Sequence, residues 1–164
     1  MIIVTDAAPL IFLAKLNRLD LISQLFGKNI LVPALIADEV LHPPLPPGEE
    51  LRLQRFLKTA TIAKTLKSRK KSTSLSRADL AVYELAVKRK ADYVLSDDKL
   101  LRTLLATEGL VPLGTLGLLV HATTKELLTK EEARNDLDQL INNHKLRISI
   151  ELYKRVLQQL DFIP

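Results

Sequence analysis

Short, uninterrupted apolar runs alternate along this chain with longer stretches of helical periodicity. Residues 2–5 form a β-rich run without polar alternation, the pattern of a strand covered on both faces, and it stops at Asp6. Pro9, suited to a first helical turn, then leads a helix starting near Ala8 and running to Leu16. Leu19, Leu21, Ile22, Leu25 and Phe26 fall largely on one helical face, and Gly27 ends that segment. Residues 29–32 predict a second strand, and Pro33 opens a helix to Leu41 that carries Asp38 and Glu39. Residues 42–48, rich in proline, predict an extended loop, because each proline removes a donor and restricts the residue before it. A helix over about 49–58 and a short strand at 60–63 follow.

The second half repeats the alternation. Ser76-Arg77-Ala78-Asp79 has the capping-box pattern and starts a helix to about residue 90. Residues 93–95 are a core strand, followed at once by Ser96-Asp97-Asp98 and a helix to about 107. Residues 111–113 read as a last short strand, with a helix from 116 onward and two closing helices over about 130–143 and 149–160. This order predicts an α/β domain on a parallel sheet. With 164 residues, 47% of them hydrophobic, one compact domain over 1–164 is expected.

Composition narrows the chemistry. The absence of cysteine excludes disulfides, thiolate zinc sites and cysteine nucleophiles, and 4% aromatic residues argue against a base-stacking platform. The first residues carry no basic leader before a long apolar segment, so a cytoplasmic location is expected. The most apolar later stretch, 116–120, is far short of the roughly 20 residues that cross a bilayer, so no membrane partner is expected. A net charge of +5 suits an anionic partner such as RNA or DNA.

In parallel α/β sheets ligands bind beyond the carboxyl ends of the strands, where strand order reverses. Asp6 and the Asp97-Asp98 pair sit at such ends, Glu39 lies in the helix after the second strand, and Asp79 lies in the first turn of the helix before the 93–95 strand. Converging carboxylates repel, so they retain protons or take up a hard divalent cation; such an ion activates water for phosphodiester hydrolysis. Each acid also has a plain structural use. Asp6 can cap the first helix, Asp97, Asp98 or Ser96 can cap the helix after residue 98, the capping box accounts for Asp79, and spacing does not choose Glu39 over Asp38. Lys64, Lys67, Arg69, Lys70 and Lys71 form a basic loop, either solvated or tracking phosphates beside the acids. His42, His121 and His144 lack metal-ligand spacing and read as structural or surface residues.

Taken together, residues 4–11 (Val-Thr-Asp-Ala-Ala-Pro-Leu-Ile), Val32-Pro33 through Glu39-Val40, Leu75-Ser76-Arg77-Ala78-Asp79 and residues 91–98 (Ala-Asp-Tyr-Val-Leu-Ser-Asp-Asp) resemble the PIN-domain family, particularly its VapC-like toxin ribonucleases. The resemblance covers about residues 1–120 in the family's order. It implies a three-layer α/β/α sandwich, with a core over about 1–124 and a helical extension over about 125–164. It also implies an endoribonuclease dependent on Mg2+ or Mn2+, often a homodimer, and for a toxin a small antitoxin partner. By position it assigns Asp6, Glu39, Asp79 and Asp98 as the four catalytic acids, with Asp6, Asp97 and Asp98 as expected metal ligands. Two positions depart from the family's pattern. Ala78-Asp79 stands where a Glu usually follows a glycine-containing turn, which shortens the carboxylate by one methylene and favours a water-mediated metal contact. Ala7 and Ala8 replace small hydroxyl or amide residues. A catalytically silent PIN-like module that binds nucleic acid or protein is the alternative. A phospho-acceptor receiver fits less well, because residues 111–115 carry no cation near the last strand.

Overall fold

The computed structural model describes residues 1–64 and 74–164. Among these residues five strands form one wholly parallel sheet: β1 (Ile3–Thr5), β2 (Ile30–Pro33), β3 (Thr61–Ala63), β4 (Tyr93–Leu95) and β5 (Val111–Leu113), in the order β3-β2-β1-β4-β5. Every residue of β1 and β2 is buried, which is why those strands read as continuous apolar runs. The chain leaves β1 toward β2 on one side and reaches β4 on the other, so strand order reverses between β1 and β4. In register, Thr5 lies opposite Leu95. The residues that follow, Asp6 and Ser96, are therefore brought to the same rim.

The described helices are α1 (Ala7–Lys15), α2 (Asp20–Phe26), α3 (Ala34–Leu41), α4 (Pro47–Thr59), α5 (Arg77–Arg89), α6 (Lys99–Thr107), α7 (Thr115–Thr124), α8 (Lys130–Asn142) and α9 (Ile150–Phe162). One group gathers around α1, which packs against α3, α4 and α7; α5 packs on β1 and β2 and meets α6. The architecture is the expected α/β sandwich on a parallel sheet. Its core runs from Ile3, Val4 and Val94 in the sheet through Leu10, Leu13, Leu118 and Leu119, and residues of α8 and α9, including Leu137, Leu140, Val156 and Leu160, join the same buried cluster.

Several boundaries differ from the sequence expectation for local reasons. Helix α1 begins at Ala7 because the Asp6 side chain accepts the Ala7 N–H, drawing the first turn forward. Strand β2 keeps Pro33, since Pro33 pairs in register with Ala63 and the helix waits until Ala34. The proline loop is shorter than expected: α4 starts at Pro47 and includes Gly48, because a proline in the first turn gives up an N–H that no helical carbonyl would have received. Helix α7 begins at Thr115, whose N–H is taken up by the Asp97 carboxylate.

Candidate active site

The site begins at the β1–β4 reversal. Asp6 is 7% exposed, and its backbone N–H donates to the Leu95 carbonyl at 2.9 Å, continuing the pairing one residue beyond the strands. Its carboxylate accepts the Ala7 N–H at 2.7 Å on one oxygen and the Ser96 hydroxyl at 2.9 Å on the other. Both oxygens are thus hydrogen-bonded, but the charge has no cationic partner among the described residues. Burial pushes the Asp6 carboxyl up to about 6, against the opposing pull of those two hydrogen bonds, and the negative charges of Asp79 and Glu39 raise it further. The field of both acids is felt at Asp6, as the packing of α5 on β1 and against α3 allows.

Fully buried Ser96 connects two acids. Its hydroxyl donates to Asp6 and accepts the Asp98 N–H at 3.1 Å. Asp98 is exposed and caps α6, one carboxylate oxygen accepting the Leu101 N–H at 2.6 Å. Asp97 is committed elsewhere: one oxygen accepts the Thr115 N–H at 2.7 Å and the other the Thr115 hydroxyl at 2.6 Å. That arrangement requires Gly114, where a Cβ would sit 2.9 Å from Asp97 Oδ1 and 3.1 Å from Arg102 Nη1. Half-buried Asp79 closes the capping box, one oxygen accepting the Ser76 hydroxyl at 2.6 Å and the Ser76 N–H at 3.2 Å. Glu39 is exposed on α3, as is its neighbour Asp38.

Of the basic loop, Lys64 is exposed and follows the end of β3; Lys67, Arg69, Lys70 and Lys71 lie outside the described residues. His42 is exposed at the end of α3, and His121 stacks on Phe26 with ring centroids 5.9 Å apart. The positioning roles of Ser96 and Thr115 were not anticipated from sequence. The available signal was placement, since each hydroxyl residue stands just beyond the end of a strand.

The donor set consists of carboxylates, which suits a hard divalent cation. As these side chains stand, no group of three His, Asp or Glu among the described residues is gathered so as to enclose a metal ion. The fit lies in charge: a buried carboxylate whose ionised form is disfavoured by burial, with two further acids bearing on it, is relieved by a cation that takes few protein ligands and keeps its waters.

A family model described as a PIN domain matches residues 2–161, nearly the whole chain. No curated protein and no solved structure matches it. PIN domains are in general nucleases and typically use divalent metals. No helix among the described residues is long and apolar enough to cross a membrane.

Proposed function

The chain belongs to the PIN-domain family, and we propose that it is a divalent-metal-dependent endoribonuclease hydrolysing RNA phosphodiester bonds. The observation that carries this reading is Asp6: buried where strand order reverses, hydrogen-bonded on both oxygens, raised to about 6 and without a counter-charge among the described residues. In the proposal Asp6 and Asp98 hold Mg2+ or Mn2+, with help from Asp97, Glu39 and Asp79 directly or through water. When bound, such an ion supplies a nucleophilic water at neutral pH and counter-charge for the phosphate.

The chain's own residues set the conditions for that chemistry. The Ala7 N–H and the Ser96 hydroxyl fix the Asp6 carboxylate in one orientation, and the same serine ties it to the backbone of Asp98. Thr115 restrains Asp97 and so the turn between β4 and α6. With its carboxyl near 6, Asp6 is mostly ionised at pH 7 and mostly protonated at pH 5, so metal uptake falls across that interval.

Within this proposal the enzyme acts in the cytoplasm as a homodimer and is the toxin of a toxin–antitoxin pair, silenced when an antitoxin segment fills the acidic groove. Support comes from the resemblance of its strand-end motifs to the VapC-like nucleases. A catalytically silent PIN module is the second reading, favoured by the bonds that already engage Asp97 and Asp98.

Incubating purified protein with single-stranded RNA and manganese separates the two. Asp6→Asn and Asp98→Asn should each abolish cleavage, as should a chelator. Full activity in either variant would sink the catalytic scheme, and RNA retention that ignores divalent ions and yields no products would favour the silent module.

A further inference from the structure

A second feature lies on the opposite flank of the rim from Lys64. Lys99, Arg102, Thr103, Ala106, Thr107 and Pro112 line a cavity of about 610 Å³. The first five recur in the i, i+3, i+4, i+7, i+8 pattern that shares one face of α6, while Pro112 lies in β5. Among the described residues β5 pairs with β4 alone and forms one edge of the sheet, and its central proline presents no N–H there. Among the described residues, the groove therefore runs between a helix face and a sheet edge with no further strand beside it.

Its electrostatics are one-sided. No acid lines it among the described residues, and neither Lys99 nor Arg102 makes an ion pair or a side-chain hydrogen bond among them. Arg102 Nη1 and Asp97 Oδ1 both approach Gly114, 3.1 and 2.9 Å from where a Cβ would sit, but the two side chains form no ion pair. The hydroxyls of Thr103 and Thr107 donate back to helix carbonyls, leaving small neutral walls between the cations. One end of the groove adjoins the candidate site directly, since Lys99 follows Asp98. From residue 99 to 107 the helix rises about 12 Å, a span that accommodates a few phosphates of a nucleic acid strand.

We propose that the α6–β5 groove is the track for the phosphate backbone of single-stranded RNA on one side of the scissile bond, with Lys99 and Arg102 as its phosphate contacts. This rests on the ribonuclease reading and adds the path of the substrate. An unpaired cation pair beside an acidic centre also has an electrostatic use: it offsets the repulsion that the carboxylates exert on an approaching phosphate. Because the contacts are to phosphate, affinity should depend on salt and be nearly indifferent to base identity.

The test uses the full chain carrying Asp6→Asn to prevent cleavage, with fluorescein-labelled oligo(U) and oligo(A) titrated across a salt series. Lys99→Glu/Arg102→Glu and the milder Lys99→Gln/Arg102→Gln are compared with Lys154→Glu/Arg155→Glu, the same charge change on exposed residues of α9, a helix that packs on α7 and α8. Losing two phosphate contacts should reduce the slope of log affinity against log salt by about 1.4, which is on the order of 25-fold weaker binding at 0.1 M salt and little difference near 1 M. The glutamine pair should show this for both oligonucleotides and the α9 pair should not, with thermal melting confirming that each variant is folded. Equal losses from both sites would reduce the groove to general charge and overturn the proposal. If the parent binds RNA and the groove variants bind it equally well, the track is wrong while the ribonuclease reading stands. If the parent neither binds nor, with Asp6 restored, cleaves RNA, both fall.

Discussion

Asp6 and Asp136 are carboxylates of nearly equal burial, 7% and 3% exposed, and in both desolvation is the main force pushing the carboxyl upward. They differ in what answers the charge. Asp136, on α8, accepts from Arg18 Nε at 2.9 Å, and Arg18 also reaches Glu132 at 3.4 Å, so a cation answers the charge and ties α8 to the turn between α1 and α2. Asp6 has hydrogen bonds but no cation among the described residues, and its charged neighbours Asp79 and Glu39 are repulsive. Folding alone gives little reason to bury an acid in that setting. The contrast separates a carboxylate that holds the structure together from one whose ionised form is costly until something positive arrives.

The sharpest way to break this comparison is to neutralise each acid in turn. Asp6→Asn should remove manganese-dependent cleavage altogether yet raise stability at pH 7. Carrying the carboxyl from its ordinary 3.8 to about 6 costs the ionised folded state roughly 3 kcal/mol. The sign follows from proton binding: between pH 4 and 6 the folded state holds the proton that the unfolded state has released, so wild-type stability declines as pH rises through that window. In metal-free buffer the variant's advantage should therefore be near zero below pH 4 and approach that figure above pH 6, measured by urea denaturation. Manganese should then narrow the gap by stabilising the wild type alone. A variant less stable than wild type at pH 7 would show that Asp6 is a structural acid like Asp136.

Asp136→Asn is expected to move the other way, and by less. It strands the Arg18 guanidinium, but that side chain is 27% exposed and keeps Glu132, so water and the second acid soften the loss. The expected cost is about 2 kcal/mol, below the 3–5 kcal/mol typical of breaking a fully buried pair. Cleavage by the folded variant should be unchanged, which a paired activity and denaturation series would check.

The two acids also show what could be read from sequence and what could not. The strand at residues 2–5, the stop at Asp6 and the strand at 93–95 were legible because a doubly covered strand admits no polar alternation, and Ser76 with Asp79 declared a capping box three residues apart. Asp6 stood out as a strand-end acid for the same local reason. Its link to Ser96 joins residues 90 apart and depends on Thr5 lying opposite Leu95, a register that no local pattern specifies. The commitment of Asp97 to Thr115 likewise depends on β5 lying beside β4 and on a glycine lacking the Cβ that would displace Asp97. Arg18 with Asp136 is a pair across 118 residues, and nothing in either segment announced it.

The finest adjustment to the contrast is Asp79→Asn. The asparagine retains an oxygen to accept the Ser76 N–H but loses the carboxylate that receives both the hydroxyl and the N–H, so a cost of up to about 1 kcal/mol is expected at the start of α5. Its electrostatic effect is felt away from α5. Removing one of the two negative charges bearing on Asp6 should lower the Asp6 carboxyl from about 6 without altering its burial or its bonds to Ala7 and Ser96, and carboxyl carbon shifts followed by NMR across pH would report it. An unmoved Asp6 would mean that Asp79 serves only the helix, leaving burial and Glu39 to raise the carboxyl. A downward move would place Asp79 in the acidic cluster even though its side chain is already occupied by a cap, because a hydrogen bond to Ser76 does not cancel the charge that Asp6 experiences.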